Sequence, residues 1–354
     1  MKLLTIFLLI IFPIGQLVRL NISGTEIVLH LNDLAVIPIL IIGLRKITGP
    51  LTKPLLFFLI AIVISLLVNF RNFSLDQLAT GALYPLRFYA YAGLYFTLVK
   101  HPEFKRVISR WLMLSVLIIA ITGLLQYVFL PDVSFLKAFD WDDHYYRLVG
   151  SFLDPGFTGA ILVLGLLVAF INRSWIIIPV YIALALTYSR ASYLMYLVSF
   201  TVVAFYRKSV KIILIAGLIL ALTIPMLPKT TGEGTKLGRE NSITARINNW
   251  KQTLTVWQQY PLFGVGFNTY RYIADIVPQS HSGGADSSIF LVLATTGIFG
   301  TAAYLYLLWV MWKIGDKNLL FKASFIGIIV HSFFNNTLFY PWAMEWLWIT
   351  LALL

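Results

Sequence analysis

The chain has 354 residues, of which 59% are hydrophobic and only 12% are charged, and its mean hydropathy is +0.83. Soluble domains have about 25% charged residues, so this composition excludes an ordinary soluble protein and indicates an integral membrane protein. The net charge is +12, but no basic patch with interleaved aromatic residues is present, so we expect no nucleic-acid partner. The absence of cysteine excludes disulfides and thiolate metal sites.

Apolar segments follow one another along the chain and are long enough, or nearly so, to cross a bilayer as helices. They lie near 3–20, 33–45, 54–70, 77–100, 107–130, 156–172, 174–188, 190–206, 210–227, 287–312, 319–338 and 341–354. They predict an all-α, polytopic membrane helical bundle of about 12 transmembrane helices, with residues 1–354 forming one integral membrane domain. One long polar loop, residues 228–286, interrupts the series.

The distribution of basic residues predicts the orientation of this bundle. When the short loops are assigned alternately to two sides, one side holds fifteen Lys and Arg and the other holds five. Cytoplasmic loops carry the excess of Lys and Arg, so we expect both termini in the cytoplasm and the loop 228–286 outside. The basic residues would also attract anionic membrane lipids.

The long loop contains an amphipathic helix, predicted from Ile243 to Tyr260. An apolar stripe runs along it, formed by Ile247, Trp250, Leu254 and Trp257. The helix should end before Pro261, because the residue preceding a proline is driven out of the α region. A helix of this kind can lie at a membrane surface with its tryptophans in the interface.

Two arginines lie in apolar segments of the sequence. A charge in a membrane is costly unless it faces the protein interior or a water-filled site. Arg190 lies in the turn between two apolar segments, with the hydroxyls of Ser189 and Ser192 beside it. Arg87 lies well inside the fourth segment and is either a functional residue or one half of an internal salt bridge.

Two further polar groups each have two interpretations. The acidic stretch at 140–144 resembles no established metal-ligand pattern, so a solvated loop is favoured over a metal site. Its ionisable members are Asp140, Asp142, Asp143 and His144. The group of His331, Asn335 and Asn336 predicts either interhelical hydrogen bonds or the lining of a cavity.

The order of motifs resembles the O-antigen ligase and O-antigen polymerase superfamily over roughly residues 145–305. The motifs are Gly150 to Pro155, Ser189-Arg190-Ala191, Arg246 with Trp250, Pro261 to Asn268, and Leu293 to Gly300. The resemblance implies a metal-independent enzyme without cofactor at the outer face of the bacterial cytoplasmic (inner) membrane. It would transfer a glycan from a polyprenyl (undecaprenyl) diphosphate carrier to a hydroxyl of a lipid or glycan acceptor, as a ligase or polymerase in lipopolysaccharide or other surface polysaccharide assembly.

The resemblance also implies roles for individual residues. Arg190 and Arg246 would bind the diphosphate, and we add Arg147 and Arg87 as further candidates. Supporting positions are Ser189, Trp250, Gly264, Gly266 and Asn268.

The residue that would accept the acceptor's proton has two candidates. The family has a histidine at the end of its outer loop, about eleven residues before the glycine that matches Gly297. Asp286 stands at that position here, and His281 precedes it by five residues. The alternative function for the whole chain is a transporter or flippase of lipid-linked saccharides, which would require charged residues near mid-membrane and an inverted repeat.

Overall fold

The computed structural model describes residues 2–21, 27–43, 48–139, 141–230, 232–273 and 284–353. These residues form thirteen α-helices and one two-stranded antiparallel ribbon, which confirms the all-α class. The helices are α1 Lys2–Ile11, α2 Leu31–Gly43, α3 Thr52–Val68, α4 Leu75–Leu98, α5 Lys105–Phe129, α6 Pro155–Ile171, α7 Ile177–Ala185, α8 Arg190–Tyr206, α9 Val210–Met226, α10 Asn241–Gln259, α11 Ser288–Ile314, α12 Leu319–His331 and α13 Pro341–Ala352. The strands are β1 Arg19–Asn21 and β2 Val28–His30.

Each of the twelve predicted apolar segments overlaps one of these helices, and α10 is the amphipathic helix of the long loop. Helix starts follow local sequence signals. Ser74 and Gln77 form a reciprocal capping box at the start of α4, and Asp154 accepts a hydrogen bond from the Phe157 amide at the start of α6. Such caps satisfy amide groups that a helix leaves without an intrahelical partner.

Among the residues that the structure describes, two helical stretches are both long and apolar enough to cross a membrane, Pro102–Phe129 and Ser288–Lys317. The helices α3, α6, α8 and α9 have 17 residues each. At 1.5 Å per residue such a helix spans about 25 Å, slightly less than the ~30 Å hydrocarbon core. The number of helices that cross the bilayer and the orientation of the bundle therefore stay predictions.

The contacts divide the chain into two compact units. Unit 1 comprises Met1–Val18, His101–Glu240 and Asn318–His331. Within it, α8 packs against α6, α9 and α12, while α5 packs against α6 and α7. Unit 2 comprises Arg19–Lys100, Asn241–Lys317 and Ser332–Leu354.

The core of unit 2 is built where α3 packs against α11 and where α4 packs against α2 and α13. Three tryptophans of α13 are almost completely buried there, Trp342, Trp346 and Trp348. Two short side chains at the C-terminal end of α3 bind backbone carbonyls. The Ser65 hydroxyl donates to the Thr295 carbonyl at 2.6 Å, and the Asn69 amide donates to the Gly264 carbonyl at 2.9 Å.

Candidate functional site

In unit 1, the turn between α7 and α8 places Arg190 at the first position of α8. Ser189 caps this helix, because its hydroxyl accepts a hydrogen bond from the Ser192 amide at 3.3 Å. The Arg190 guanidinium donates through Nη1 to the carbonyls of Leu237 and Arg239 at 3.1 and 3.0 Å. The segment 237–239 of the long loop therefore holds this side chain in place.

Two more arginines contact the turn at 187–189 that precedes α8. Arg147 is buried, and its Nε donates to the Thr187 carbonyl at 3.0 Å. Arg239 donates through Nη1 to the carbonyls of Gly234 and Lys236 at 2.6 and 3.0 Å. Arg147 and Arg239 also both donate through Nη2 to the Tyr188 carbonyl, at 3.5 and 3.4 Å, two residues before Arg190.

Sequence reasoning missed Arg239 because it is one of several basic residues in a polar loop and belongs to no recognised motif. We call Arg147, Arg190 and Arg239 the arginine cluster. The hydrogen bonds described above, all to backbone carbonyls, hold these guanidiniums in place. Planar guanidiniums bind phosphate oxygens bidentately, so the arrangement suits a ligand with several anionic oxygens.

The acidic loop before Arg147 contributes a buried neutral histidine. Burial, followed by the positive charges of Arg147 and Arg239, lowers the pKa of His144 from 6.5 to about 3. Nearby, burial raises the pKa of Asp154, against the opposing effects of the Phe157 amide and Arg147. Within the described residues no group of three His, Asp or Glu side chains is arranged to hold a metal ion, and Asp140 lies outside them.

A buried polar contact joins α8 to α12 in unit 1. The Ser192 hydroxyl lies 3.3 Å from His331 Nε2 and donates to the Ser189 hydroxyl at 2.8 Å. This is the interhelical hydrogen bonding that was one interpretation of His331. The predicted helix 319–338 was too long, however. The helix α12 ends at His331, so Asn335 and Asn336 do not lie on one helix face with it.

In unit 2, α10 carries Arg246 and Trp250 one turn apart. The Arg246 guanidinium lies over the Phe334 ring, 5.8 Å from its centroid. The Trp250 ring contacts the rings of Phe290 and Phe334 at centroid distances of 5.7 and 6.0 Å. Trp250 therefore packs against other aromatic side chains of unit 2.

The predicted apolar stripe of α10 is only partly correct. Ile247 is 41% exposed, whereas Thr253 and Val256 are buried. Trp257 packs against the cluster that contains Val256 and Leu291. The difference arises because α10 packs against α11, and the residues facing that helix include a threonine that an apolar pattern does not count.

Asp286 lies just before α11, where several side chains fix the chain. Its amide donates to the Asn249 side-chain oxygen at 2.9 Å. Ser287 caps α11, and the Ser288 hydroxyl donates to the Asn336 side-chain oxygen at 2.8 Å. The other candidate base, His281, lies outside the described residues.

The glycine motif of the long loop, Gly264 to Asn268, packs directly on a kink in α11. The Val265 and Gly266 amides donate to the Ala294 and Thr295 carbonyls, both at 3.0 Å. A Cβ at Gly264 would lie 2.3 Å from the Thr295 carbonyl carbon. Gly264, Gly266 and Asn268 all have positive φ angles, of 66°, 110° and 60°. These residues shape the backbone of the loop where it meets α11.

Arg87 does not behave as the diphosphate ligand proposed from the sequence. Its Nη2 donates to Asp33 Oδ2 at 2.8 Å and to the Val28 carbonyl. The same carboxylate group accepts from the Tyr91 hydroxyl at 3.1 Å. The internal salt bridge, the second interpretation, is the one observed, because Asp33 at the start of α2 faces α4. We leave Arg87 out of the candidate site.

Residues 175–305 match the family model described as O-antigen ligase. The segment contains Arg190, Arg239, Arg246, the glycine motif and Asp286. It supports the O-antigen ligase superfamily and confirms the resemblance that the order of motifs predicts. A comparison with curated proteins gives no match.

Proposed function

Because the O-antigen ligase match covers residues 175–305, we propose that this chain is a glycosyltransferase of that superfamily. It moves a glycan from a polyprenyl diphosphate carrier to an acceptor hydroxyl at the outer face of the bacterial cytoplasmic membrane. The carrier is undecaprenyl diphosphate, the acceptor is a lipid or another carrier-linked glycan, and neither metal nor cofactor takes part.

The arginine cluster carries this proposal. Arg190 and Arg239 lie within the matched segment, and Arg147 joins them through the turn at 187–189. A diphosphate diester carries two negative charges, which three guanidiniums can bind with charge-assisted hydrogen bonds. Arg246, which the resemblance assigns to the same ligand, is partly exposed on α10.

The reaction needs charge stabilisation and one proton transfer. The acceptor oxygen forms a bond to the anomeric carbon, the bond from that carbon to the diphosphate oxygen breaks, and the carrier diphosphate leaves with the electron pair. Arginines aimed at that oxygen stabilise the charge as it develops. The acceptor's proton passes to Asp286 or His281, the two positions that the family resemblance indicates.

Substitution of Arg190 tests the proposal. Purified protein is given a polyprenyl diphosphate glycan, with and without an acceptor lipid, and the glycosidic product is quantified. Arg190→Ala should reduce transfer by at least ~100-fold, the usual effect of removing a preorganised charge-stabilising donor. Arg190→Lys should recover only part of it, because one ammonium cannot bridge the Leu237 and Arg239 carbonyls and also bind phosphate bidentately.

Arg110→Ala is the matched control, since Arg110 is an exposed arginine on α5. Transfer should be unchanged in this variant. Undiminished transfer in Arg190→Ala would refute the assignment of the arginine cluster. Movement of the intact donor across a vesicle membrane, with no new glycosidic bond, would support the transporter instead.

A further inference from the structure

Unit 1 contains a polar cavity of about 310 Å³ next to the arginine cluster. It lies between the acidic loop that follows α5 and the turn at 232–234. Its lining includes three carboxylates, from Asp132, Asp143 and Glu233, together with His144 and Tyr145. Small-molecule sites start at about 300 Å³, so the volume suits a ligand fragment rather than a few water molecules.

The glycines of the turn at 232–234 fix this cavity against the neighbouring loop. A Cβ at Gly232 would lie 2.7 Å from the Tyr145 carbonyl oxygen, and one at Gly234 would lie 2.7 Å from Arg147 Cδ. The Gly234 carbonyl also accepts the hydrogen bond from Arg239. Two of the three arginines therefore contact the wall of the cavity. If a diphosphate binds to the arginine cluster, the sugar attached to it would lie beside the cavity.

His144 gives the cavity a buried polar group without a protein partner. Only 9% of this residue is exposed, and across the described part of the chain its Nε2 has no hydrogen-bond partner. A neutral imidazole has one nitrogen that donates and one that accepts. Leaving such an atom unsatisfied in a buried position is costly, which indicates that a bound ligand or water completes the site.

The three carboxylates favour a ligand rich in hydroxyl donors. Ionised carboxylates only accept hydrogen bonds, and bonds to them are stronger than bonds between neutral groups. No set of three acidic or histidine side chains in the described ranges is arranged to coordinate a metal ion, which favours hydroxyl groups over a cation. Tyr145 is 39% exposed and supplies an aromatic face.

We propose that this cavity binds an uncharged, hydroxyl-rich saccharide unit of the donor glycan and discriminates against sugars that carry a carboxylate. The inference rests on the proposed function, since the arginine cluster places the diphosphate next to the cavity. An acidic sugar would bring its negative charge beside Asp132 and Asp143, whereas Glu233 already pairs with Lys236 at 2.9 Å. The site would therefore determine which carrier-linked glycans are accepted.

Asp143→Asn tests the cavity, because Asp143 is exposed at its rim and its carboxylate can be neutralised without changing its size. Asp142→Asn is the matched control: the residue is an exposed neighbour of the same charge that does not line the cavity. The full-length protein in nanodiscs is given two donors whose carrier-proximal sugar is either a neutral hexose or the corresponding uronic acid.

The wild-type protein and Asp142→Asn should both prefer the neutral donor. In Asp143→Asn, KM for the neutral donor should rise about tenfold and KM for the acidic donor should fall, while kcat changes little. Transfer with equal KM values in all three proteins would overturn the saccharide site and leave the transferase intact.

The second readout is binding of the free neutral oligosaccharide to the same three proteins, measured by saturation-transfer NMR. If binding is lost only in Asp143→Asn and the wild-type protein transfers no glycan, the result would support the cavity and refute the transferase. Equal binding in all three proteins, or none in any, would overturn the cavity whatever the transfer assay shows.

Discussion

Gly297 holds the kink of α11 and is the position where an added methyl group should be least tolerated. Its φ and ψ are 64° and −164°, a region that is essentially accessible only to glycine. A Cβ there would lie 2.2 Å from the Leu262 carbonyl oxygen and 2.5 Å from the Phe263 amide nitrogen. These are backbone atoms, so no side-chain rotation relieves the overlap.

The expected cost of Gly297→Ala follows from two terms. The disfavoured backbone conformation costs about 1–3 kcal/mol. The added methyl group also separates the two backbone segments. This breaks the hydrogen bonds from the Ile298 and Phe299 amides to the Pro261 and Leu262 carbonyls, at about 0.5–1.5 kcal/mol each. Together the substitution should destabilise the protein by roughly 3 kcal/mol or more.

Thermal unfolding of the detergent-purified protein measures this cost, with Gly217→Ala as the control. Gly217 lies in α9 with nothing within 4 Å of an added Cβ, so alanine should leave Tm unchanged or raise it slightly. A Tm for Gly297→Ala equal to that of the control would refute the reasoning about the kink.

Two further predictions concern His144 and Trp250. Because the pKa of His144 falls from 6.5 unfolded to about 3 folded, stability should decrease as pH drops from 6.5 towards 3, by about 1.4 kcal/mol per unit. His144→Gln should weaken that dependence in pH-resolved unfolding and leave only other groups, such as His30, whose pKa is also lowered to about 3. Trp250→Ala should cost roughly 1–3 kcal/mol in unfolding measurements, since it removes ring contacts with Phe290 and Phe334, and Trp250→Phe should cost less.

Helix positions followed from the sequence because apolar runs and caps are local signals. The start of α8 at Ser189 and the end of α10 before Pro261 are both set by residues within one turn. The end of α12 was not predicted, because the apolar pattern continues through Phe333 and Phe334 while the helix stops at His331. There the Ser332 carbonyl accepts from the Ser288 amide, a contact 44 residues away in sequence.

The sequence did not reveal which groups the arginines contact. Arg87 and Arg190 look alike as arginines in apolar surroundings, yet Arg87 meets the carboxylate of Asp33 and Arg190 meets backbone carbonyls. Nothing in the local sequence distinguishes the two cases. Arg239 gave no signal in the sequence. It joins the site only because its loop folds against the turn at 187–189.

The choice between Asp286 and His281 as the base turns on how the chain is held before α11. Asn249 binds the Asp286 amide and Ser287 caps the helix, so the backbone that carries the Asp286 carboxylate is held in place, eleven residues before Gly297. We therefore expect Asp286→Asn to lower kcat by about 100–10,000-fold, the usual contribution of a general base, with KM and Tm nearly unchanged. His281→Gln should retain most activity under the same conditions. The reverse result, full activity in Asp286→Asn and none in His281→Gln, would assign proton transfer to the histidine.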